Sequence, residues 1–234
     1  LALAAATDEP ILELASGTGR VAIPLAAAGH QVIGVDRDPD MLELARARWE
    51  RRGQDDQTGG ALELVQADIT ELTLGPRFGL VILALNTFVL LEGREAQRRA
   101  LAVVAGHLSD EGRAVIDVWL PTPEDLVLYD GRLVLDWVVR DEQADEWVSK
   151  STAARYAPAL NTATIDTFFD AWNDTHPARR THRSDAVSFV TVSELLSMVH
   201  EAGLDPVIVA GDYDMSELTE ASDRVILVCQ RRRV

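Results

Sequence analysis

The sequence predicts an α/β fold in which short buried strands alternate with helices around a mostly parallel sheet. Apolar runs alternate with helical segments from the start of the chain to about residue 120, and this rhythm resumes after residue 190. Between residues 124 and 190, strand-like segments follow one another without predicted helices, which indicates an inserted antiparallel β layer. With 234 residues, 47% of them hydrophobic, the chain is large enough for one well-packed domain, and we expect a single domain over residues 1–234.

The elements of the first half follow from the apolar runs and their stop signals. A Gly-rich turn follows the first strand, Gly29 ends the first helix, and Asp38 with Pro39 begins the second. The polar, Gly-rich segment 53–60 is predicted to be a loop. The predicted strands are 10–14, 31–35, 62–66, 80–85 and 113–119, and the predicted helices are 20–28, 39–52 and 92–108.

The second half contains the predicted β-rich region, residues 124–190, and then returns to alternation. We expect the strands of this region to form antiparallel hairpins added to the sheet on the substrate side. A helix at 192–202 is then capped by Thr191 or Ser193 and ends at Gly203. The predicted strands are 133–139, 146–156, 162–171, 186–190, 206–210 and 224–230.

Composition excludes several classes of function. The formal net charge of −16 argues against a protein that grips nucleic-acid phosphates and against binding to an anionic membrane surface. The single cysteine, Cys229, excludes disulfide scaffolds and thiolate zinc clusters, and the histidines lack metal-ligand spacing, so we predict no metal. Residues 1–6 are interpreted as the end of a helix and not as a signal peptide, which favours a cytoplasmic location.

Three features lie at the carboxyl ends of successive predicted strands, where ligands bind in open α/β sheets. The first is the segment ELASGTGR, which begins at Glu13 and contains Gly17 and Gly19. Its glycines let the backbone approach a ligand closely. The second is Asp36, a carboxylate able to accept both hydroxyls of a ribose. The third is the pair Asp68 and Ile69, which can read an adenine edge with a carboxylate and a backbone N–H.

Glu13 indicates which nucleotide the site takes. A dinucleotide turn usually reads GxGxxG, and Ala22 at the third position is compatible with that pattern. An acid directly before the glycines would, however, repel a pyrophosphate, whereas it suits an ammonium group. A ligand with a ribose, an adenine and an ammonium but no phosphate is S-adenosylmethionine.

These residues lie in segments that resemble a known family. The segments ILELASGTGR, VIGVDRDPDML, LVQADITEL and FGLVILALNTFVLL resemble motifs I to IV of the class I S-adenosylmethionine-dependent methyltransferases of small-molecule type. The resemblance is strong over residues 10–120 and moderate over residues 192–230. It implies a Rossmann-like, doubly wound sheet of seven strands, mostly parallel, whose last strand is antiparallel.

The resemblance also implies roles for single residues. Glu13 would meet the methionine amino group, Asp36 would hold the ribose, and Asp68 with Ile69 would read the adenine. The remaining implied contacts are the backbone of Ala15, Gly17 and Gly19 along the methionine, Arg37 and Met41 beside the adenine, and Leu85 and Asn86 beside the sulfonium. Motif IV reads ALNTF and not the Asn/Asp-Pro-Pro-Tyr/Phe signature, which disfavours adenine in DNA and release factors as acceptors.

The expected partner is a small-molecule acceptor methylated at N, O or C. Because the sulfonium is already activated, the protein mainly supplies proximity and orientation, and a base is needed only where the acceptor must lose a proton. His182 and Tyr213 are the candidates for such a base. Aromatic and basic residues of the β-rich region and its flanks are the candidates for acceptor binding: Trp119, Tyr156, Phe168, Trp172 and Arg180.

Other readings of the same pattern stay open at this point. An excess of arginine near residue 180 suits either an acidic substrate or the acidic surface of the protein itself, and we favour the second. An NAD-dependent oxidoreductase would use a similar Gly-rich turn, although Glu13 counts against it. A non-catalytic nucleotide-binding protein of the same fold is the third reading, because methyl transfer requires no obligatory side chain.

Overall fold

The computed structural model describes residues 2–53 and 59–232. The central part of the loop predicted at 53–60 therefore lies outside the described residues. The chain divides into two compact units, and each is described by itself. The first unit draws on residues 1–88, 93–119 and 191–234, and the second on residues 89–92 and 120–190. That the two constitute one domain stays a prediction.

The helices and strands follow the predicted order closely. The strands are β1 (Ile11–Leu14), β2 (Gln31–Asp36), β3 (Ala61–Gln66), β4 (Phe78–Leu83), β5 (Leu108–Trp119), β6 (Asp130–Asp141), β7 (Glu146–Ala157), β8 (Thr162–Trp172), β9 (Arg179–Ser188), β10 (Leu204–Ala210) and β11 (Arg224–Arg231). The α-helices are α1 (Ala22–Ala27), α2 (Pro39–Gly53), α3 (Thr87–Leu90), α4 (Gly93–His107), α5 (Pro123–Leu128) and α6 (Val192–Glu201). Short 3₁₀ turns lie at Ala4–Ala6 and Pro158–Leu160. Within the described ranges, no helix combines the length and the apolar composition that a membrane span requires.

The first unit is built on a seven-stranded sheet in the order β10-β11-β5-β4-β1-β2-β3. Neighbours pair in parallel except β11, which is antiparallel to both β5 and β10. Every residue of β1 and β4 is buried, as expected of central strands covered on both faces. The predicted α/β fold, with its antiparallel last strand and its inserted antiparallel β layer, is confirmed.

The second unit contains a separate antiparallel sheet in the order β6-β7-β8-β9. The strands of the predicted β-rich region therefore pair with one another, whereas the hairpins had been expected to extend the large sheet. Each follows its neighbour through a short connection, which gives a meander.

Two elements of the second unit differ from the prediction. Strand β9 begins at Arg179 and not at residue 186, because its polar N-terminal half pairs residue by residue with β8. Helix α5 was not predicted, although its start carries a reciprocal cap in which Thr122 accepts from the backbone N–H of Asp125 and Asp125 accepts from that of Thr122. Pro123 in the first turn is a further helix-start signal, because proline is a favourable first residue of a helix.

Candidate functional site

The turn between β1 and α1 brings backbone, and not side chains, to the edge of the sheet. Ala15, Gly17 and Gly19 have φ angles of 57°, 53° and 77°, so three alternate residues lie in the left-handed region. A Cβ on Gly19 would lie 2.7 Å from the side chain of Ile23, which leaves no room for a larger residue. The turn is joined to β2 by the N–H of Ser16, which donates to the Val35 carbonyl at 2.9 Å.

Asp36 fixes this turn from the end of the neighbouring strand. Its Oδ2 accepts from the N–H of Gly17 at 2.7 Å, and its Oδ1 accepts from the N–H of Asp38 at 2.9 Å. Each carboxylate oxygen can accept more than one hydrogen bond, and the side chain is only half-buried. Asp36 therefore both holds the Gly-rich turn and keeps acceptor capacity for hydroxyl groups of a ligand.

Glu13 is an unusual buried acid on the central strand β1. Glu13 is only 3% exposed, and the residues paired with it in the sheet register are Gly34 on β2 and Ile82 on β4. The carboxyl accepts from the N–H of Ala22, but its Oε2 has no hydrogen-bond partner among the described residues. Burial raises the pKa of Glu13 to about 8, and the charge of Asp36 also raises it. A buried acceptor left without a donor costs free energy, and such a group is typical of a site that a ligand completes.

Asp68 and Ile69 follow β3 at the same edge of the sheet. The Oδ1 of Asp68 accepts from the N–H and the hydroxyl of Thr70 at 2.7 and 2.8 Å, and these bonds lower the pKa of Asp68. Its side chain is exposed, whereas Ile69 is buried. The N–H of Ala67 donates to the Asp36 carbonyl at 3.0 Å, which ties this segment to the end of β2. The carboxylate is thus ionised and available at neutral pH.

Arg37 and Met41 complete this part of the edge. Arg37 is exposed directly after Asp36, and its carbonyl accepts from Gln66 Nε2 at 3.3 Å. Met41 lies in the first turn of α2, where its N–H donates to Asp38 Oδ1 at 3.3 Å. The structure therefore brings the carboxyl ends of β1, β2 and β3, with the predicted cofactor residues that follow them, to one edge of the seven-stranded sheet.

The segment after β4 is built differently from the prediction. The strand ends at Leu83, so Leu85 and Asn86 lie beyond it and not on its last residues. Both have left-handed backbones, with φ angles of 57° and 64°. Strand β5 holds both: the N–H of Leu85 donates to Asp117 Oδ2 at 3.2 Å, and Asn86 Oδ1 accepts from the N–H of Trp119 at 3.1 Å.

Asp117 is the residue of this region that the sequence reading missed. It lies within the apolar run of β5, is 1% exposed, and also accepts from the hydroxyl of Tyr213 at 2.9 Å and from Arg224 Nη1 at 3.0 Å. An acid in the middle of a buried strand was the available signal, because such a group requires partners. Its partners lie 96 and 107 residues away, so the sequence could not identify them.

Tyr213, one of the two candidate bases, thus lies in the first unit with the predicted cofactor residues. Its ring is exposed, and the guanidinium of Arg224 lies 4.4 Å from the ring centroid. Burial of the hydroxyl, followed by its hydrogen bond to Asp117 and the charge of that residue, raises the pKa of Tyr213. A phenol that retains its proton more strongly than usual is a poor base at neutral pH, so its geometry favours an anchoring role.

The other candidates for acceptor binding and catalysis lie in the second unit, except Trp119. His182 Nε2 is 2.9 Å from Asp166 Oδ1, and its ring stacks on that of Phe168 with centroids 4.6 Å apart. The guanidinium of Arg180 makes two hydrogen bonds of 2.7 Å to Asp170. The favoured reading of the local arginine excess, pairing with acids of the protein itself, is confirmed.

Two aromatic candidates are held by neighbours within the second unit. The hydroxyl of Tyr156 donates to Asn161 Oδ1 at 2.9 Å, and its ring lies 6.1 Å from that of Phe189. Trp172 lies opposite Trp147 in the register of β7 and β8. As for metals, the described parts of the chain contain no cluster of three or more His, Cys, Asp or Glu side chains suited to hold an ion.

Comparison with known proteins connects this geometry to a family. A model described as a methyltransferase domain matches residues 11–112, which include β1 to β4 and the Gly-rich turn. The cypemycin N-terminal methyltransferase of a Streptomyces species is 26% identical over 223 residues, which cover 95% of this chain and 83% of that protein.

Solved structures show the same fold. The S-adenosylmethionine-dependent methyltransferase from Clostridium acetobutylicum ATCC 824 matches with a TM-score of 0.80 and 15% identity, over 97% of this chain and 85% of that one. The sugar N-methyltransferase KedS8 from Streptoalloteichus sp ATCC 53650 matches with a TM-score of 0.76 and 21% identity, over 98% and 83%. The strand order, the Gly-rich turn and the acids at successive strand ends agree with these matches: the chain has the α/β Rossmann-like fold of methyltransferases, and its residues 11–112 match a methyltransferase domain.

Proposed function

We propose that this enzyme transfers a methyl group from S-adenosylmethionine to a nitrogen of a small-molecule amine. The observation that carries the cofactor assignment is the buried Oε2 of Glu13, which lacks a donor within the described residues and lies directly before the Gly-rich turn. An ammonium group supplies donors and a positive charge together, and both favour the ionised form of a buried carboxyl.

The chemistry of the residues at the edge of the sheet supports this cofactor. Glu13 would hold its ammonium, Asp36 its ribose hydroxyls, and Asp68 with the N–H of Ile69 its adenine. The left-handed turn would present backbone to the methionine portion, because Gly17 and Gly19 carry no side chain there. The remaining proposed contacts are those of Ala15, Arg37, Met41, Leu85 and Asn86. When bound, the cofactor supplies an activated methyl group on a sulfonium.

The protein then acts by binding and orientation. A neutral amine is a sufficient nucleophile for in-line displacement, so this chain needs to hold the nitrogen in line with the methyl group and to exclude competing water. Nitrogen is supported by the name of the bacterial relative, which describes methylation at an N-terminus, and that relative matches 95% of this chain. The predicted acceptor-binding residues stay Trp119, Tyr156, Phe168, Trp172 and Arg180. His182 stays the predicted proton-handling residue, because the raised pKa of Tyr213 makes that residue a poor base.

A methyl-transfer assay with labelled cofactor tests this proposal. The full chain is incubated with an amino sugar, a short peptide with a free N-terminus and a small secondary amine, each matched by the analogue in which a hydroxyl replaces the amine. We expect label in one or more amines and none in the matched alcohols, and loss of transfer in Glu13→Gln. Label in the alcohols alone would overturn the choice of nitrogen. Cofactor binding with no transfer to any of the probes would favour the non-catalytic alternative.

A further inference from the structure

Behind the segment after β4 lies a buried polar group, the Asp117 cluster, which consists of Asp117, Tyr213 and Arg224. Asp117 Oδ1 accepts from Arg224 Nη1 at 3.0 Å, while its Oδ2 accepts from the hydroxyl of Tyr213 and from the N–H of Leu85. Arg224 Nη1 also lies 2.6 Å from the Tyr213 hydroxyl, so the three side chains form a closed set of hydrogen bonds. The cluster joins β5, β11 and the segment after β10 to the end of β4.

The segment that this cluster holds is strained. Leu85 and Asn86 are consecutive non-glycine residues with positive φ angles, a conformation that costs about 1 kcal/mol or more at each residue. Two hydrogen bonds with β5 offset this cost: the N–H of Leu85 donates to the Asp117 carboxylate, and the N–H of Trp119 donates to Asn86 Oδ1. Strain of this kind persists only where the surroundings impose it, and it concentrates at functional sites.

Asp117 makes more contacts than an ion pair that only stabilises the fold would need. Replacing a buried ion pair by apolar residues is often neutral or stabilising, so Asp117 and Arg224 are not explained by stability alone. The Asp117 carboxylate also accepts a hydrogen bond from a backbone N–H of the strained segment, that of Leu85. Tyr213 is 57% exposed as a residue although its hydroxyl donates to Asp117, so the cluster also fixes an exposed aromatic side chain beside this segment.

We propose that Asp117 is a positioning residue for methyl transfer: its buried carboxylate, neutralised by Arg224, fixes the Leu85–Asn86 backbone and the Tyr213 ring against which the acceptor is aligned. This inference rests on the proposed function, since it concerns the same end of the site. Asp117 touches neither cofactor nor acceptor; it acts through Leu85 and Tyr213. Its loss therefore affects the rate of transfer more than the affinity for the cofactor.

The test compares Asp117→Asn with Asp205→Asn. Asp205 also pairs with an arginine: its Oδ1 lies 3.3 Å from Nε of Arg232, which directly follows β11. Asp205 itself lies on β10, which is not a neighbour of β4 in the sheet. In Asp117→Asn we expect hydrogen exchange of the Leu85 and Trp119 amides to become about tenfold faster, whereas the Ser16 and Gly17 amides keep the wild-type rates. Affinity for S-adenosylhomocysteine should change by less than about threefold, and kcat for the amine that shows transfer should fall by about tenfold or more. Asp205→Asn should leave all of these unchanged.

The two proposals fail in different ways. If wild type neither binds S-adenosylhomocysteine nor methylates any amine, the proposed function fails, while the exchange rates still decide whether Asp117 holds the segment. If the Leu85 and Trp119 amides exchange no faster in Asp117→Asn than in Asp205→Asn, or if kcat is retained, the positioning role is overturned. If Asp117→Asn does not fold, Tyr213→Phe replaces it in the test. This variant removes one contact to Asp117 and keeps the ion pair between Asp117 and Arg224. Its expected signature is a kcat about threefold lower with unchanged cofactor affinity, and an unchanged kcat would overturn the proposal.

Discussion

The two sheets of this enzyme differ in how some of their polar side chains are satisfied. In the seven-stranded sheet, Glu13 and Ser16 keep buried oxygen atoms that no described residue satisfies. In the four-stranded sheet, charged residues of different strands pair with one another. The pairs are Lys150 with Asp136, Arg179 with Glu146, Arg180 with Asp170, and His182 with Asp166.

The seven-stranded unit thus has buried polar atoms without a hydrogen-bond partner among the described residues, whereas the charged side chains named in the four-stranded sheet are paired within the protein. Buried polar atoms are rarely left without partners, so those of Glu13 and Ser16 indicate that a ligand completes the seven-stranded unit. The exposed pairs of the four-stranded sheet are screened by water and contribute little to stability or to binding. We therefore expect substitutions in the first set to have large effects on the cofactor and substitutions in the second to have almost none.

The largest effect should appear in the pH dependence of stability when Glu13 is replaced by glutamine. The pKa of Glu13 is about 8 in the folded chain, whereas the ordinary value of a glutamate carboxyl is 4.5. The unfolded chain therefore ionises first, and the stability that the protonated carboxyl provides at low pH is lost as the pH rises from about 4.5 to about 8. Glutamine does not titrate, so the free energy of unfolding of Glu13→Gln relative to wild type should increase over this range by on the order of 4 kcal/mol. Urea unfolding of the ligand-free chains at pH 4.5 and pH 8.5 measures it, and parallel pH profiles would contradict the assignment.

The second largest effect should be on the affinity for S-adenosylhomocysteine when Asp36 is replaced by alanine. Asp36→Ala removes the acceptor of the Gly17 N–H together with the proposed ribose contact, so Kd for S-adenosylhomocysteine should rise by about 30-fold. Asp38→Ala is the matched control, because Asp38 caps the first turn of α2 through the amides of Asp40 and Met41. It should lower stability by about 1 kcal/mol and change Kd by less than about threefold. Equal losses of affinity in the two variants would mean that Asp36 acts only by holding the turn.

The smallest effect should come from the four-stranded sheet. Arg180→Gln removes a bidentate pair with Asp170. Because the arginine is exposed and the carboxylate is only partly covered, we expect no measurable change in melting temperature or in cofactor affinity. The kinetics with the methylated amine decide whether this residue binds the acceptor. An increase in KM with an unchanged kcat would assign Arg180 to acceptor binding, whereas an unchanged KM would leave it only the pair with Asp170.

Much of this architecture was predictable because local signals and tertiary structure agree. The glycines of the turn, the caps at Asp38 and Thr191, and the apolar runs of the central strands all favour the conformation that forms. The acids at successive strand ends were also identifiable, since parallel strands bring their carboxyl ends to one edge. The burial of Glu13 and its raised pKa were not, because they depend on the strands that flank it.

The errors have the same physical origin. The first half of β9 is polar and exposed, and it is held by the ladder to β8 and by ion pairs such as Arg180 with Asp170, which no local pattern reports. The partners of Asp117 come from segments about a hundred residues away, and the left-handed backbone at Leu85 and Asn86 follows from those partners. Neither residue type predicts such a conformation as strongly as glycine does.

The most direct test of the account is calorimetric titration of S-adenosylhomocysteine at pH 6.5, in two buffers with different ionisation enthalpies. At this pH Glu13 is protonated in the free enzyme, because its pKa is about 8. An ammonium bound beside the carboxyl favours ionisation, so binding to one saturable site should release close to one proton. Glu13→Gln should bind about 100-fold more weakly and release none. Absence of binding, or equal proton release by wild type and Glu13→Gln, would contradict the assignment of Glu13 to the cofactor.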